Sequence, residues 1–170
     1  MKQLELFDMP SGSASVQNDQ HHWKLFVDGA SRNNPGPAGA GVYILQDEQF
    51  FKEFGFYLGK KTNNQAEYFA LLVGLFILKK QVKKSDRVSI ISDSLLLVQQ
   101  VKGAYKVRNP DLKPLHGLAL KWVQELNAHI FHVLRFDNAH ADNMANVGID
   151  TKNNVPSEFL TVLQHHAIPF

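Results

Sequence analysis

A mixed α/β fold, a five-stranded sheet in the order βββαβαβα with helices packed on it, is what this sequence predicts. Strand-like segments rich in Val, Ile, Tyr and Phe alternate with longer apolar segments of helical length. Three such strands come first, and Asp47-Glu48-Gln49 between the second and third suits a short hairpin turn. At 170 residues and 44% hydrophobic, the chain fits one domain with a real core.

Residues 1–22 read as a tail, because 9–22 (MPSGSASVQNDQHH) is polar, Ser/Gly-rich and without periodicity, the composition of a flexible linker. The domain is expected over 23–150. Its first strands fall at about 23–30, 39–46 and 50–58. Thr62-Asn63-Asn64-Gln65 then fits a capping box, in which the Thr hydroxyl and Gln amide satisfy free amides at a helix start. The helix should run to about Gln81, with Lys79, Lys80, Lys83 and Lys84 complementing the dipole at its end. A strand at 87–92, a short helix at 94–102, a basic loop and a helix at 111–126 follow. A last strand at 129–136 leads into a helix capped by Asn138. Residues 151–170 form a C-terminal extension with room for a short helix and no evident function.

Composition excludes several classes. The chain has no cysteine, so disulfides, thiolate zinc sites and thiol nucleophiles are out, and any metal must use oxygen or imidazole. The longest apolar run, Tyr68 to Leu78, falls well short of the ~20 residues of a membrane helix and reads as a buried core helix. No segment suits a signal peptide. A soluble cytoplasmic protein is expected. A net charge of +2 says nothing about partners, so only local basic clusters could.

Four acids fall at the ends or interiors of these elements: Asp28 in the first strand, Glu67 in the first turns of the central helix, Asp93 after the fourth strand and Asp142 one turn into the last helix. A lone acid is usually a solvated surface group. Asp28 and Asp93, however, adjoin the apolar runs LFV and VSII, where an unpaired charge is costly. Strand carboxyl ends are where ligands usually bind in open α/β sheets. Acids gathered there repel and rise in pKa unless cations hold them together, and hard oxygen ligands favour Mg²⁺ or Mn²⁺.

These acids sit in four blocks, FVDGASRNNPGPAGAG, TNNQAEYFALLVGL, ISDSLLLVQQVKGAYKVRNPDL and HVLRFDNAHADNMAN. In that order they resemble the type 1 ribonuclease H family over residues 24 to about 150. The resemblance implies a ribonuclease H-like fold and an endoribonuclease that cuts the RNA strand of RNA/DNA hybrids, leaving 5′-phosphate and 3′-hydroxyl ends. It also implies that Asp28, Glu67, Asp93 and Asp142 are both the catalytic residues and the ligands of two Mg²⁺ ions, with Asp28 bridging the pair and Mn²⁺ as an alternative. A non-catalytic hybrid-binding module of the same fold is the other reading, against which all four acids argue.

Nucleic-acid contacts are implied for Gly29, Ala30, Ser31 and Asn33, whose loop could approach the minor groove where 2′-hydroxyls mark RNA; the same residues could equally serve only the turn. Most relatives have Gly in place of Asn33, and Asn tolerates left-handed backbone better than other side-chained residues. Asn63, Asn64 and Gln65 match groove-contacting positions and also complete the cap. Thr62, Lys60 and Asn109 match a phosphate grip, and Ser94 and Lys106 complete the expected contacts. Lys102, Lys106, Arg108 and Lys113 make a basic surface that suits phosphates or simply a solvated face. The long basic protrusion of some relatives is missing, and the link from Arg135 to Asp142 is short, so His140 does not match the histidine that some relatives carry there. His21-His22 and His165-His166 lack metal-ligand spacing and read as surface residues. In the tail, Gln3, Leu4, Leu6 and Phe7 of QLELF resemble the peptide by which bacterial replication proteins dock on the sliding clamp, the alternative being a patch that folds back onto the domain.

Overall fold

Strand β1 (His22–Ser31) is the middle of the sheet, because Leu25 and Val27 on one of its faces are fully buried under the central helix while neighbouring strands pair with both of its edges. In the computed structural model, which describes residues 19–170, β1 pairs antiparallel with β2 (Gly36–Gln46), and β2 with β3 (Gln49–Lys61). On its other side β1 runs parallel to β4 (Arg87–Ser92), and β4 to β5 (His129–His132). The strand order is β3-β2-β1-β4-β5, the mixed five-stranded sheet expected. The clamp-like peptide at residues 3–7 lies outside the described residues.

Helix α1 (Asn63–Lys79) starts at the expected cap: Gln65 N donates to Thr62 Oγ1 at 3.2 Å and Thr62 N donates to Gln65 Oε1 at 2.9 Å. It is buried on nearly every face, from Ala66 through Leu78, as its apolar run requires. Two helices, α2 (Leu95–Val101) and α3 (Lys113–Glu125), make the crossover from β4 to β5, and α4 (Ala139–Thr151) packs on β2 and β3. Helix α5 (Ser157–His165) supplies the extra helix of the C-terminal extension, and Phe159 and Leu163 enter the same core as Trp23 and Leu25. Among the described residues no helix is long and apolar enough to cross a membrane.

Helix ends fall within two residues of expectation, and three strand boundaries differ by more. β2 begins at Gly36 and β3 runs on to Lys61, because Gly36 and Pro37, which read as loop, pair with Lys61 and Lys60 beyond a register shift at Ala38/Gly39. β5 stops at His132 rather than 136. Its partner β4 ends at Ser92, whose carbonyl takes the last bond from Val133 N, so the chain has nothing further to pair with and tightens into a 3₁₀ turn, Arg135–Asn138. Asn138 stands at the start of α4 but makes no side-chain cap bond. Its amide is engaged elsewhere. The pair His21-His22 is also more than surface: the His21 ring meets Asp47 Oδ2 at 2.6 Å and the His22 ring meets Ser89 Oγ at 2.8 Å, both half-buried. His165 and His166 are exposed.

Candidate active site

Four elements bring one acid each to a single cleft. Asp28 lies on β1; in the parallel register Phe26 faces Ile91, so two residues on Asp93, just past β4, comes level with it. Glu67 arrives from the start of α1, because Gly29 lets the helix backbone approach β1: a Cβ there would meet the Ala66 and Glu67 backbone. Gly29 N–H donates to Glu67 Oε2 at 3.1 Å. Asp142 arrives on α4, which sits close because a Cβ on Gly41 would meet the Ala141 carbonyl oxygen. The cleft, about 350 Å³, is lined by these acids with Gly29, Ala30, Ser31, Arg32, Asn63, Arg135 and Asn146.

The electrostatics are those of crowded, mutually repelling acids. Burial first, then the charges of Glu67, Asp93 and Asp142, push the Asp28 carboxyl up to about 10. Burial and Asp93 likewise raise Glu67, against the lowering effect of the Gly29 N–H. Asp142 has one cation beside it, the exposed Arg135 guanidinium at 3.1 Å. Asp93 is held by a neutral donor: Asn138 Nδ2 bonds Asp93 Oδ1 at 2.8 Å and Val27 O at 2.9 Å, while among the described residues the buried Asn138 Oδ1 has no partner. An all-oxygen donor set that repels itself fits hard divalent cations. Among the described residues no three His, Asp or Glu side chains stand close enough together to hold a metal ion by themselves.

Of the other expected contacts, Gly29, Ser31 and Asn63 line the cleft. Asn33 sits in the left-handed region at φ 65°, the backbone for which Asn is the tolerated substitute for Gly. Thr62 and Gln65 are spent on the cap, while Lys60 and Asn64 are at the surface. Ser94 Oγ caps α2 through Leu97 N, and Asn109 Oδ1 accepts from Asp111 N. Ser94, Lys106 and Asn109 stand outside the cleft lining. Four lining or supporting residues escape sequence reasoning: Arg32, Arg135, Asn138 and Asn146. For Arg135 a signal existed, since it is the one cation between the last strand and the last acid. His140 stacks on Tyr43 with ring centroids 4.3 Å apart and is absent from the cleft lining.

Residues 26–148 match the Reverse transcriptase-like family. Ribonuclease HI of Halobacterium salinarum is 37% identical over 127 residues, 74% of this chain and 63% of that protein, so the chain spans less than two thirds of that relative's length. Ribonuclease H of Coxiella burnetii is 31% identical over 151 residues, covering 79% of this chain and 94% of its own. LC11-RNase H1, isolated from compost and solved in complex with an RNA/DNA hybrid, superimposes with a TM-score of 0.69 at 35% identity, covering 78% of this chain and 98% of that one.

Proposed function

This chain belongs to the type 1 ribonuclease H family, and from that premise we propose that it is a metal-dependent endoribonuclease hydrolysing the RNA strand of RNA/DNA hybrids. The observation that carries the reading is the convergence of Asp28, Glu67, Asp93 and Asp142, from four separate elements, on one cleft. These side chains would hold two divalent cations, Mg²⁺ with Mn²⁺ as the alternative, with Asp28 at the centre of the mutual repulsion that such cations would relieve. When bound, such a pair would supply the chemistry of lowering the pKa of an attacking water and stabilising the leaving oxygen of an in-line phosphate displacement, for which 5′-phosphate and 3′-hydroxyl ends are expected. The chain's own residues prepare the carboxylates: Gly29 N–H orients Glu67, Asn138 orients Asp93, and Arg135 holds Asp142. The loop after Asp28 would present Gly29, Ser31 and Asn33 to the sugar edge of the RNA, where 2′-hydroxyls distinguish it from DNA. Lys60, Thr62, Asn63, Asn64, Gln65, Ser94, Lys106 and Asn109 are proposed as the wider contact surface, whose phosphate bonds would weaken with salt.

Cleavage of end-labelled RNA/DNA hybrid, alongside single-stranded RNA, duplex DNA and duplex RNA, tests this. Only the hybrid should be cut, with Mg²⁺ and not with EDTA. Undiminished hybrid cleavage by Asp28→Asn, or none by the parent with either Mg²⁺ or Mn²⁺, would overturn the reading. For residues 3–7 we propose docking on a bacterial sliding clamp, which would raise the local concentration of the enzyme on replicating DNA. Retention of purified clamp by Leu6→Ala/Phe7→Ala at the parent's level would refute it.

A further inference from the structure

The loop that follows Asp28 hangs between the two helices that carry Glu67 and Asp142, and different bonds tie it to each. Toward β3 and α1, Ser31 Oγ donates to Lys61 O at 2.8 Å and Asn34 Oδ1 accepts from Asn63 N at 2.9 Å. Toward α4 the tie is Arg32: one guanidinium nitrogen meets Asp150 Oδ1 at 2.7 Å and another donates to Asn146 Oδ1 at 3.4 Å. Asn146 Nδ2 in turn donates to the carbonyl of Asp142 at 3.1 Å. A continuous path therefore runs from the loop, through Arg32 and Asn146, to the backbone of the fourth acid.

We propose that Arg32 is a positioning residue, a latch that straps the substrate-facing loop to α4 so that the loop backbone and Asp142 keep a fixed relation over the cleft. The inference rests on the hybrid-cleaving reading of that cleft. Two further observations support it. Asp150 lies in the last turn of α4, where the helix dipole disfavours an acid, so helix stability does not account for it. The loop also needs restraint, since Asn33 holds a left-handed backbone that glycine adopts at lower cost. The ion pair is half-exposed, 48% and 61% for the two side chains, and surface pairs contribute little to global stability. Its effect is local.

The test turns on a sign. Removing an anion near a polyanionic substrate should by electrostatics alone lower KM, whereas releasing the latch should raise it. Asp150→Asn in the full chain is expected to raise KM for RNA/DNA hybrid about two- to fivefold, leaving kcat and Tm unchanged, and Asp150→Glu should restore the parent's KM. In an Arg32→Gln background the same Asp150→Asn change should no longer raise KM. Amide hydrogen exchange at Arg32 and Asn33, read without substrate, should speed up in Asp150→Asn. A KM that falls or stays put, or unchanged loop exchange, overturns the latch. If the parent binds and cuts no hybrid, the proposed function fails, and the exchange rates still decide whether the loop is strapped.

Discussion

Two buried aspartates at opposite ends of the same strand pair show how a fold separates structure from chemistry. Asp86 sits just before β4, where three donors, His21 N, Trp23 Nε1 and Lys83 N, each reach its carboxylate at 2.9 Å. Burial would raise its pKa, yet those bonds outweigh burial and hold it below the usual carboxylate range. Asp28, at the other end of β1, is as buried but faces three acids, and its pKa goes the other way. The protein neutralises one charge itself. It leaves the other among like charges.

The sharpest way to break this contrast is to neutralise each acid in turn. Asp28→Asn should cut hybrid cleavage by about 10²–10³-fold or more while raising the Tm of the metal-free protein. The sign follows from linkage. Asp28 is raised to about 10 in the fold from about 3.9 in the unfolded chain, so the stability it contributes is present at acid pH and lost as pH rises toward the folded value. In EDTA, the parent's lead in Tm at pH 5 over pH 8 should shrink in Asp28→Asn.

At Asp86 the expectation reverses. Asp86→Ala strands three donors, one of them on a buried indole, and should cost about 2–3 kcal/mol in urea unfolding with kcat preserved well below the Tm. With its folded pKa lowered, Asp86 contributes stability above the unfolded value that is lost as pH falls through the folded one, so the variant should lose less on acidification than the parent. Added Mg²⁺ draws the same line more gently. At ten times its Kd one ion stabilises by about 1.4 kcal/mol, roughly 3–6 °C for a chain this size. Differential scanning fluorimetry should show that shift in the parent and in Asp86→Ala, and lose it in Asp28→Asn.

How far the site could be read in advance depended on whether partners were close in sequence. That the acids would meet in one cleft was legible because three of them stand at element boundaries that local signals mark: the apolar run before Asp28, the cap five residues before Glu67, the strand before Asp93. Asn33's left-handed backbone followed from its own chemistry. The supporting bonds were not legible, because their partners lie far along the chain: Asp47 and Ser89 for the histidine pair, Asp150 for Arg32, Asp93 and Val27 for Asn138. The end of β5 was misjudged because a strand stops where its partner does, and HVLRF alone does not record that β4 ends at Ser92.

Asn138 stands between the two aspartates, treating Asp93 partly as Asp86 is treated. Its Nδ2 joins β1 to the Asp93 carboxylate, while its buried Oδ1 goes unpaired among the described residues, a cost that helix capping does not explain because no cap bond forms. If that amide fixes the rotamer of Asp93, Asn138→Ala should lower kcat about three- to tenfold, the range of one ordinary hydrogen bond worth about 0.7–1.4 kcal/mol. KM should barely move. A carboxylate without its donor should also bind Mg²⁺ less tightly, readable by calorimetry without any turnover. Asn138→Asp sharpens the point: it keeps the shape but replaces the donor with a fifth charge, so it should impair kcat more than alanine does. Equal kcat in parent, alanine and aspartate variants would mean that Asp93 is held by the backbone turn after β4 alone, as firmly as Asp86 is held by its three donors.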